Sequence, residues 1–329
     1  MGSRFCGHDN NEKEGPRMMA YVLRRLWQMI PTLAGVVLLI FFLFNAVGGD
    51  PALVLAGKIT NPEQIANIRK QLGVDEPYWY QLWVFVKQIV TFDFGRSWAT
   101  NEEVSKIFLT RIGPTLTIMI PVLVLETVIG VILAIGVAYV RGTLTDRVIM
   151  MICTMAMSIS FLVYIIVAQY YFGFKWGVFP VQGWTDNFWK NLTTYAPLPI
   201  MLAVFVGLAP ALRLYRSFFL DEINHDYVRT ARAKGLSETT VMLKHVLRNA
   251  MIPILTNIGI ALPGIFVGSF LLETFFSIPG LGREILVAVN RSDFPVIKAA
   301  TVYLAMVTML INLAVDVMYK AVDPRVTFK

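Results

Sequence analysis

The chain has 329 residues, of which 56% are hydrophobic and only 16% are charged. This composition excludes an ordinary soluble globular protein and indicates a chain that is mostly surrounded by lipid. The formal net charge of +7 does not call for a nucleic-acid partner, because the basic residues are distributed in the way that membrane insertion demands. No nucleic-acid partner is predicted, and the lipid bilayer is the expected surrounding.

Six apolar stretches are long enough to cross a hydrocarbon core, which takes roughly 20 helical residues. They are continuous and do not alternate between apolar and polar residues, so helices are predicted and barrel strands are not. The predicted fold is an all-α membrane protein with six transmembrane helices. The stretches are residues 26–47, 114–140, 148–172, 196–212 with its flanks, 251–272 and 299–319.

The predicted orientation follows from the basic residues, since cytoplasmic segments of membrane proteins carry an excess of Lys and Arg. With both termini in the cytoplasm, the inner segments hold 17 of the 29 Lys and Arg residues, and the outer segments hold the other 12. We therefore predict a multi-pass protein with both termini cytoplasmic.

The N-terminal region begins with a polar segment, residues 1–18, that lacks apolar periodicity and is predicted to be a disordered cytoplasmic tail. Residues 19–47 contain the first span, which is too long for a signal-peptide core and should remain as an anchor. Cys6 lies in the tail and Cys153 in the third span, so the two cysteines predict no disulfide framework.

Residues 48–111 form an outer segment that is too long for a simple connector. Asn61 is the predicted N-cap of a short amphipathic helix, with Pro62 in its first turn and Gly73 at its end. A second helix begins near Pro77 and carries several Trp and Tyr residues, as expected at a membrane interface. Its role stays open between interfacial packing and the docking of an external partner.

Residues 112–329 hold the other five spans, and residues 213–249 form an inner loop of different character. No helix breaker occurs in residues 221–234, which predicts one helix of about 14 residues and 21 Å. Gly235 should end that helix, and Ser237 should cap the next one.

The simpler alternative for this loop is a solvated basic segment held at anionic headgroups. The turn of the loop combines features that such a segment does not require. Glu238 stands in the first turn of the second helix, where the helix dipole favours an acid. Ala231 and Ala233 keep the turn thin, which would let a partner approach closely. The pattern predicts a helix, a sharp turn and a returning helix that a soluble partner can bind.

Polar and helix-breaking residues at membrane depth are the candidates for a transport route, because ionisable groups there are costly and usually face a bundle interior. The alternative is that each carboxylate hydrogen-bonds to a neighbouring helix, which is favoured for Asp316. Glu273 is the better route candidate, and Glu126 lies deepest in its span. The candidates are Glu126, Pro263, Gly264, Gly268, Glu273, Asn312 and Asp316.

Several ordered blocks across residues 19–329 resemble the permease subunits of ATP-binding-cassette (ABC) importers for dipeptides, oligopeptides, nickel chelates and related solutes. The set is specific, although a single block would be weak. The blocks are Arg24-Arg25 through Pro31 to Gly49-Asp50-Pro51, Leu72-Gly73 with Asp75 and Pro77, Phe94-Gly95-Arg96-Ser97, Arg111 with Pro114-Thr115-Leu116, residues 226–235, residues 278–282, Asn312-Leu313 with Asp316, and Asp323-Pro324-Arg325.

The resemblance implies a type I ABC importer permease fold whose cytoplasmic EAA loop seats in a groove of an ATPase subunit. The residues of this implied docking loop are Asp226, Tyr227, Arg229, Thr230, Ala231, Ala233, Lys234, Gly235, Leu236 and Ser237. The chain departs from the wider family pattern where Arg229 replaces an acid, Thr230 replaces a small residue, and residues 245–248 replace an isoleucine, leucine and proline signature. Arg229 is therefore not expected to make an acid's contact.

The resemblance also implies one half of a translocation pore in a bacterial inner membrane. A homologous second permease, two cytoplasmic ATP-binding subunits and an extracytoplasmic solute-binding protein would complete the importer. The chain itself is expected to be a transport subunit without an ATPase site, because it lacks a phosphate-cradling loop; ATP and Mg would be bound by the partner ATPases. His8, His225 and His245 have no paired Cys or carboxylate at metal-site spacing, so no metal site is predicted.

Peptide cargo is an expectation from the resemblance, and a nickel chelate, glutathione or an opine-like solute are alternative cargoes. Two other functional classes stay open. An ion-coupled secondary transporter would carry inverted repeats with interrupted helices and midplane ion ligands, and a passive channel would carry a ring of like residues. Neither pattern is convincing in this sequence, and neither explains the inner loop at residues 213–249.

Overall fold

The computed structural model describes residues 14–46, 52–53, 61–73 and 75–322. Across these residues the chain is helical, and the only β-structure is one isolated antiparallel bridge between Arg96 and Glu103. The all-α prediction is confirmed. Helix starts at Glu14, so the last residues of the predicted tail are helical, and residues 1–13 lie outside the described residues. The sequence blocks at residues 49–51 and 323–325 also lie outside them.

The helices are, in chain order, α1 Glu14–Ala46, α2 Pro62–Leu72, α3 Tyr78–Thr91, α4 Val104–Tyr139, α5 Leu144–Met157, α6 Phe161–Ala168, α7 Phe188–Lys190, α8 Pro197–Ile223, α9 Asp226–Ala233, α10 Glu238–Thr240, α11 Leu247–Val267, α12 Phe270–Phe275, α13 Leu281–Asn290 and α14 Phe294–Val322. Three π-helical segments, Gln169–Lys175, Asn191–Tyr195 and Val241–Val246, continue α6 and α7 and join α10 to α11.

Five helical segments among the described residues are long and apolar enough to cross a membrane. They are Val22–Asn45, Val104–Tyr139, Pro197–Ile223, Glu238–Phe275 and Phe294–Met318. The pair Leu144–Met157 and Phe161–Lys175 passes the same test together but is bent by 89°, which makes it a broken sixth span or a re-entrant pair.

The predicted continuous third span over residues 148–172 is therefore wrong. Ser158 ends α5, and its hydroxyl donates a hydrogen bond back to the Thr154 carbonyl at 2.9 Å. Ser160 adopts an extended backbone as the N-cap of α6. Serine hydroxyls compete with the backbone for hydrogen bonds, and the apolar residues on either side gave no sign of this break.

The two short helices predicted in the outer segment are confirmed. The Asn61 side chain accepts a hydrogen bond from the backbone N–H of Glu63 at 3.1 Å, and Gly73 ends α2 in the left-handed conformation with a φ of 65°. Pro77 is the N-cap of α3, where its missing N–H costs nothing.

The chain divides into two compact units, and the first consists of residues up to 105 together with residues from 288 onward. Its core contains Val37 and Ile40 of α1, Phe85 and Ile89 of α3, and Val302 of α14. Burial of these apolar side chains, about 1.5–3 kcal/mol each when complete, stabilises the unit.

The second unit, residues 106–287, has two buried clusters. One cluster joins α4, α5, α8, α9 and the start of α11, and the other joins α4, α6, α8 and α12. A bidentate ion pair fixes α8 to the start of α5, because Arg216 Nε and Nη2 donate to the Asp146 carboxylate at 2.8 and 2.7 Å.

The fifth predicted span, residues 251–272, is also interrupted. Pro253 and Pro263 lie inside α11, which ends at Val267, and Gly268 has a φ of 74°. Ser269 then caps α12 with its hydroxyl. Within the helical segment Glu238–Phe275 the α-helix is therefore interrupted at Gly268 and Ser269.

Candidate functional site

A sharp corner separates α8 from α9. The side-chain amide of Asn224 donates to the Leu220 carbonyl at 3.1 Å, and His225 takes an extended conformation with a ψ of 150°. The predicted continuous helix over residues 221–234 is therefore wrong. Asparagine satisfies backbone groups locally and so favours turns over helix. Helix α9 has 8 residues, about 12 Å at the helical rise per residue.

Helix α9 is amphipathic and packs one side onto the chain's own core. The side chains of Val228 and Ala231 are 0% and 5% exposed, and they join a cluster with Ile223 and Val241. The expectation that Ala231 keeps the turn thin for a partner is wrong, because its methyl group points into this cluster. Ala233 is exposed, as that expectation requires.

The turn after α9 has the predicted construction. Gly235 has a φ of 77°, and its N–H donates to the Arg232 carbonyl at 2.9 Å. Ser237 caps α10 by accepting a hydrogen bond from the Thr240 N–H at 3.4 Å. A Cβ at Gly235 would find nothing within 4 Å, so glycine is needed here for its backbone conformation and not for space.

An ion pair that sequence reasoning missed closes this turn. Arg232 donates from Nε and Nη2 to the two carboxylate oxygens of Glu238 at 3.0 and 2.6 Å. The pairing is bidentate, which fixes direction as well as distance, and the Glu238 carboxylate raises the pKa of Arg232. The sequence did contain a signal for this pair, namely opposite charges at Arg232 and Glu238 on either side of the Gly-Leu-Ser turn.

Tyr227 fastens the corner from the other side. Its hydroxyl donates a hydrogen bond to the Glu222 carboxylate, and its ring stacks on His225 with centroids 5.9 Å apart. Burial, followed by the hydrogen bond to Glu222, raises the pKa of Tyr227 to about 12. The phenol therefore stays a neutral donor at physiological pH. Tyr227 holds the segment in place and is only partly exposed.

A second tie holds the corner to the turn before α5. Arg141 Nη1 donates to Asn224 Oδ1 at 3.2 Å, and the Gly142 N–H donates to the Asp146 carboxylate at 3.0 Å. The same carboxylate holds Arg216 of α8. The contacts of Arg141 with Asn224 and of Arg216 with Asp146 were not predicted, because their partners are separated by 70 or more residues in sequence.

The outward surface of the segment is polar with one apolar side chain. Asp226 and Arg229 form an exposed i,i+3 ion pair at 3.3 Å, and the Thr230 hydroxyl donates to the Asp226 carbonyl at 2.9 Å. Lys234 is also exposed, and Leu236 is 40% exposed. A short rigid projection of this kind suits the binding of a protein surface.

The predicted route residues have separate environments. The Glu126 side chain is partly buried and packs on Gly207 of α8, where an added Cβ would lie 2.7 Å from the carboxylate. Pro263 and Gly264 lie inside α11, and a Cβ at Gly264 would meet nothing within 4 Å. Glu126 lies well inside its span as predicted, but Glu273 is the more buried carboxylate at 1% exposed.

Glu273 lies in a buried polar cluster, and Gly268 is adjacent to it, because a Cβ added at Gly268 would collide with the Glu273 carboxylate. The Thr115 hydroxyl donates to Glu273 Oε1 at 2.9 Å, and the Arg283 N–H donates to Oε2 at 2.8 Å. Thr115 Oγ1 in turn accepts from the Leu281 N–H at 2.8 Å. Glu273 therefore fits the alternative in which a carboxylate hydrogen-bonds to neighbouring elements. Its role in a transport route stays a prediction.

Asn312 and Asp316 lie on α14 beside α1. Asp316 Oδ2 is 2.9 Å from Arg25 Nη2, which agrees with the favoured alternative of a hydrogen-bonded carboxylate. Both residues line a cavity of about 250 Å³ together with Arg25 and Thr32. A contact with cargo stays a prediction for both.

Comparison with known families decides the identity of the chain. Residues 126–328 match the family of binding-protein-dependent transport system inner membrane components, and residues 18–119 match the N-terminal region of such membrane components. The chain belongs to this family. It is a permease subunit of the ABC importers of the peptide and nickel type, as the sequence blocks indicated, and it has the type I importer permease fold.

Curated relatives agree with the family over nearly the whole permease. The glutathione transport system permease protein GsiC of Escherichia coli (strain K12) is 36% identical over 314 residues, which cover 95% of this chain and 100% of the relative. The protein of the same name from Salmonella typhi is 36% identical over 315 residues with the same coverage. The permease is thus a multi-pass inner-membrane protein, and its family operates with ATPase subunits and binding proteins.

Proposed function

We propose that this permease is one of two homologous pore-forming subunits of an ATP-driven importer for short peptides. Residues 226–237 dock on a cytoplasmic ATPase subunit, and glutathione is the first cargo to test. Both termini lie in the cytoplasm, on the same side as the docking segment. An extracytoplasmic solute-binding protein delivers cargo on the opposite side. ATP and Mg are bound by the ATPase subunits, so this chain performs no hydrolysis of its own.

The observation that carries the docking role is the rigid construction of the segment. Val228 and Ala231 anchor α9 to the core, and the Arg232–Glu238 ion pair closes the turn. Gly235, Leu236 and the Asp226–Arg229 pair are left outside. A push on this exposed turn would pass into α8 and α11 as a rigid-body movement, because the anchoring side chains are packed and not mobile.

The cargo proposal has a separate basis. The relatives in E. coli and S. typhi are named for glutathione transport, and glutathione is a tripeptide. A short-peptide cargo is consistent both with the glutathione transport for which these relatives are named and with the peptide-type pattern of the family. The transport assay should therefore offer glutathione beside an ordinary dipeptide and an oligopeptide.

The test uses the importer as it is assembled in its host. The tagged permease is purified from native membranes with its co-purifying subunits and is reconstituted into vesicles with its solute-binding protein. We expect uptake of labelled glutathione or dipeptide to require ATP, and we expect no response to an imposed ion gradient. Uptake without ATP that follows such a gradient would establish the ion-coupled secondary transporter and overturn the proposal.

The docking role is tested with two substitutions at one residue. Gly235→Val places a β-branched residue at positive φ, which costs about 1–2 kcal/mol and distorts the turn. We expect ATP hydrolysis to persist while uptake falls at least tenfold. Gly235→Asn is the matched control, because asparagine tolerates this conformation. Normal uptake with Gly235→Val, in protein that remains in the membrane, would remove the docking role and leave the cargo proposal intact.

A further inference from the structure

A cavity of about 540 Å³ lies within the unit formed by α1, α2, α3 and α14. Its volume falls in the range of small-molecule sites, roughly 300–1,000 Å³. Aromatic rings make up much of its wall, and charged side chains of both signs line it. The lining residues used below are Glu76, Tyr80, Phe85, Trp98, Phe294 and Lys298.

One wall of the cavity is fixed by a buried carboxylate. Asp293, 3% exposed, accepts hydrogen bonds from the Ser97 hydroxyl and from the backbone N–H of Trp98 at 3.1 Å. Trp98 then packs edge-on against Phe294 with centroids 5.5 Å apart, and Phe294 packs edge-on against Phe44 at 5.4 Å. The aromatic wall is therefore preorganised by bonds that lie behind it.

Lys298 brings a positive charge to this wall. Its side chain is partly buried, and Nζ lies 5.4 Å from the ring centroid of Phe44 and 5.7 Å from that of Phe85. Among the residues that the structure describes, Lys298 makes no ion pair and no hydrogen bond. A cation–π contact stabilises an ammonium and leaves its three N–H donors unused.

The other charged residues that line the cavity are Lys70, Arg96 and Glu76, so basic side chains outnumber acidic ones there. Arg96 is already engaged, since it donates to the Asn101 carbonyl at 3.0 Å and lies 3.7 Å from the Glu103 carboxylate. Glu76 lines the same cavity and can accept from a ligand ammonium. Lys298 with its open donors, Glu76, and aromatic rings that include Tyr80 match a small zwitterion with an apolar body.

We infer that this cavity is a binding site for a small peptide-like zwitterion, whose carboxylate pairs with Lys298. The geometry of this unit supports the binding site. The choice of a dipeptide as the probe rests on the proposed cargo. Binding here is a property of the permease alone and requires neither ATP nor an ATPase subunit.

The test measures equilibrium binding to the full-length permease in lipid nanodiscs made of phosphatidylcholine. The probes are labelled Ala-Phe and its C-terminal amide, which differ at the carboxylate alone. We expect the amide to bind at least tenfold more weakly. Lys298→Met keeps the aliphatic stem but removes the charge, and it should weaken Ala-Phe binding at least tenfold while binding of the amide stays unchanged.

Lys175→Met is the matched control. Lys175 also lies over an aromatic ring, with Nζ 5.4 Å from the Tyr171 centroid, but it is exposed and does not line this cavity. Its substitution should leave Ala-Phe binding unchanged. Glu76→Gln is a second variant, expected to weaken Ala-Phe but not N-acetyl-Ala-Phe.

Equal binding of Ala-Phe and its amide to the unaltered permease would overturn the inference, whether or not Lys298→Met folds. Absence of dipeptide binding together with saturable retention of phosphatidylglycerol would overturn it too, because the site would then hold a lipid phosphate. Neither result touches the proposed function, since an importer can carry peptides that never enter this cavity. Loss of ATP-driven uptake, conversely, would leave the binding result standing.

Discussion

Two turns of the second unit, each built around a glutamate, differ in what surrounds the carboxylate. At residues 233–238 the Glu238 side chain is 41% exposed and pairs with Arg232 across an open turn. At residues 268–283 the Glu273 side chain is 1% exposed and is enclosed by backbone and by Thr115. The first carboxylate is open to solvent, whereas the second is closed off from it.

The glycines of the two turns show the same difference. A Cβ added at Gly235 would meet nothing within 4 Å, but a Cβ at Gly280 would lie 2.6 Å from Thr115 Oγ1 and one at Gly282 would lie 3.0 Å from Glu273 Oε2. In the open turn, glycine sets the direction of the chain. In the closed turn, glycine makes room for a buried hydrogen-bond cluster, so every neighbour of Glu273 is constrained at once.

The largest effect that would separate the two turns is expected from Gly280→Ala. The added methyl group collides with the enclosed carboxylate and with Thr115, and overpacking of this kind costs about 3 kcal/mol. Thermal unfolding in nanodiscs measures the loss. Gly264→Ala is the control, because a Cβ there has open space and the residue lies inside α11. Equal melting temperatures of the two variants would mean that the closed turn tolerates a methyl group as well as a helical position with open space does.

A smaller effect is expected from Thr115→Val, which keeps the side-chain shape but removes the hydroxyl. The Leu281 N–H loses its acceptor and Glu273 loses a donor, and we expect a loss of about 2 kcal/mol in unfolding free energy. Thr117→Val on the same helix removes only a hydrogen bond to the Gly113 carbonyl, and it should change stability by about 0.5 kcal/mol or less. A Thr115→Val protein as stable as Thr117→Val would show that Glu273 is not held through this hydroxyl.

The smallest effect is expected at the open turn, from Arg232→Ala. Its pair with Glu238 is partly exposed, 35% and 41% for the two side chains, so solvent screening limits its contribution to about 1 kcal/mol or less. The loss should shrink further in 1 M salt, where the screening length is about 3 Å. Arg229→Ala breaks a pair that is 73% and 93% exposed and should leave the melting temperature unchanged. If Arg232→Ala lost more unfolding free energy than Thr115→Val, the open turn would contribute more to stability than the closed turn, and the comparison would be reversed.

The local signals in the sequence were reliable where a single residue type has one strong conformational reason. Asn61 and Gly73 bound α2, Gly235 ends the α9 segment in the left-handed conformation, and Ser237 caps the next helix, all as predicted. Each of these follows from a hydrogen bond or a backbone preference within a few residues.

The two helix breaks that were not predicted had no such local signal in the sequence. Asn224 and Ser158 disfavour helix only weakly, and each ended a helix that the sequence predicted to continue. The corner at Asn224 lets Val228 reach the core. The break at Ser158 separates two segments, Leu144–Met157 and Phe161–Lys175, that are bent by 89° relative to each other. Propensity within a window cannot report a contact made by distant residues.

The sequence by itself determined the membrane class, the helical fold, the family blocks and the local form of the 233–238 turn, because hydropathy, capping and glycine conformation act over short distances. Tertiary structure decided the rest. It turned Ala231 inward, joined Arg232 to Glu238, enclosed Glu273 against Thr115, and placed Lys298 between the rings of Phe44 and Phe85. Each of these outcomes depends on side chains brought together by packing, and apolar packing is set by volume and shape, which no residue carries alone.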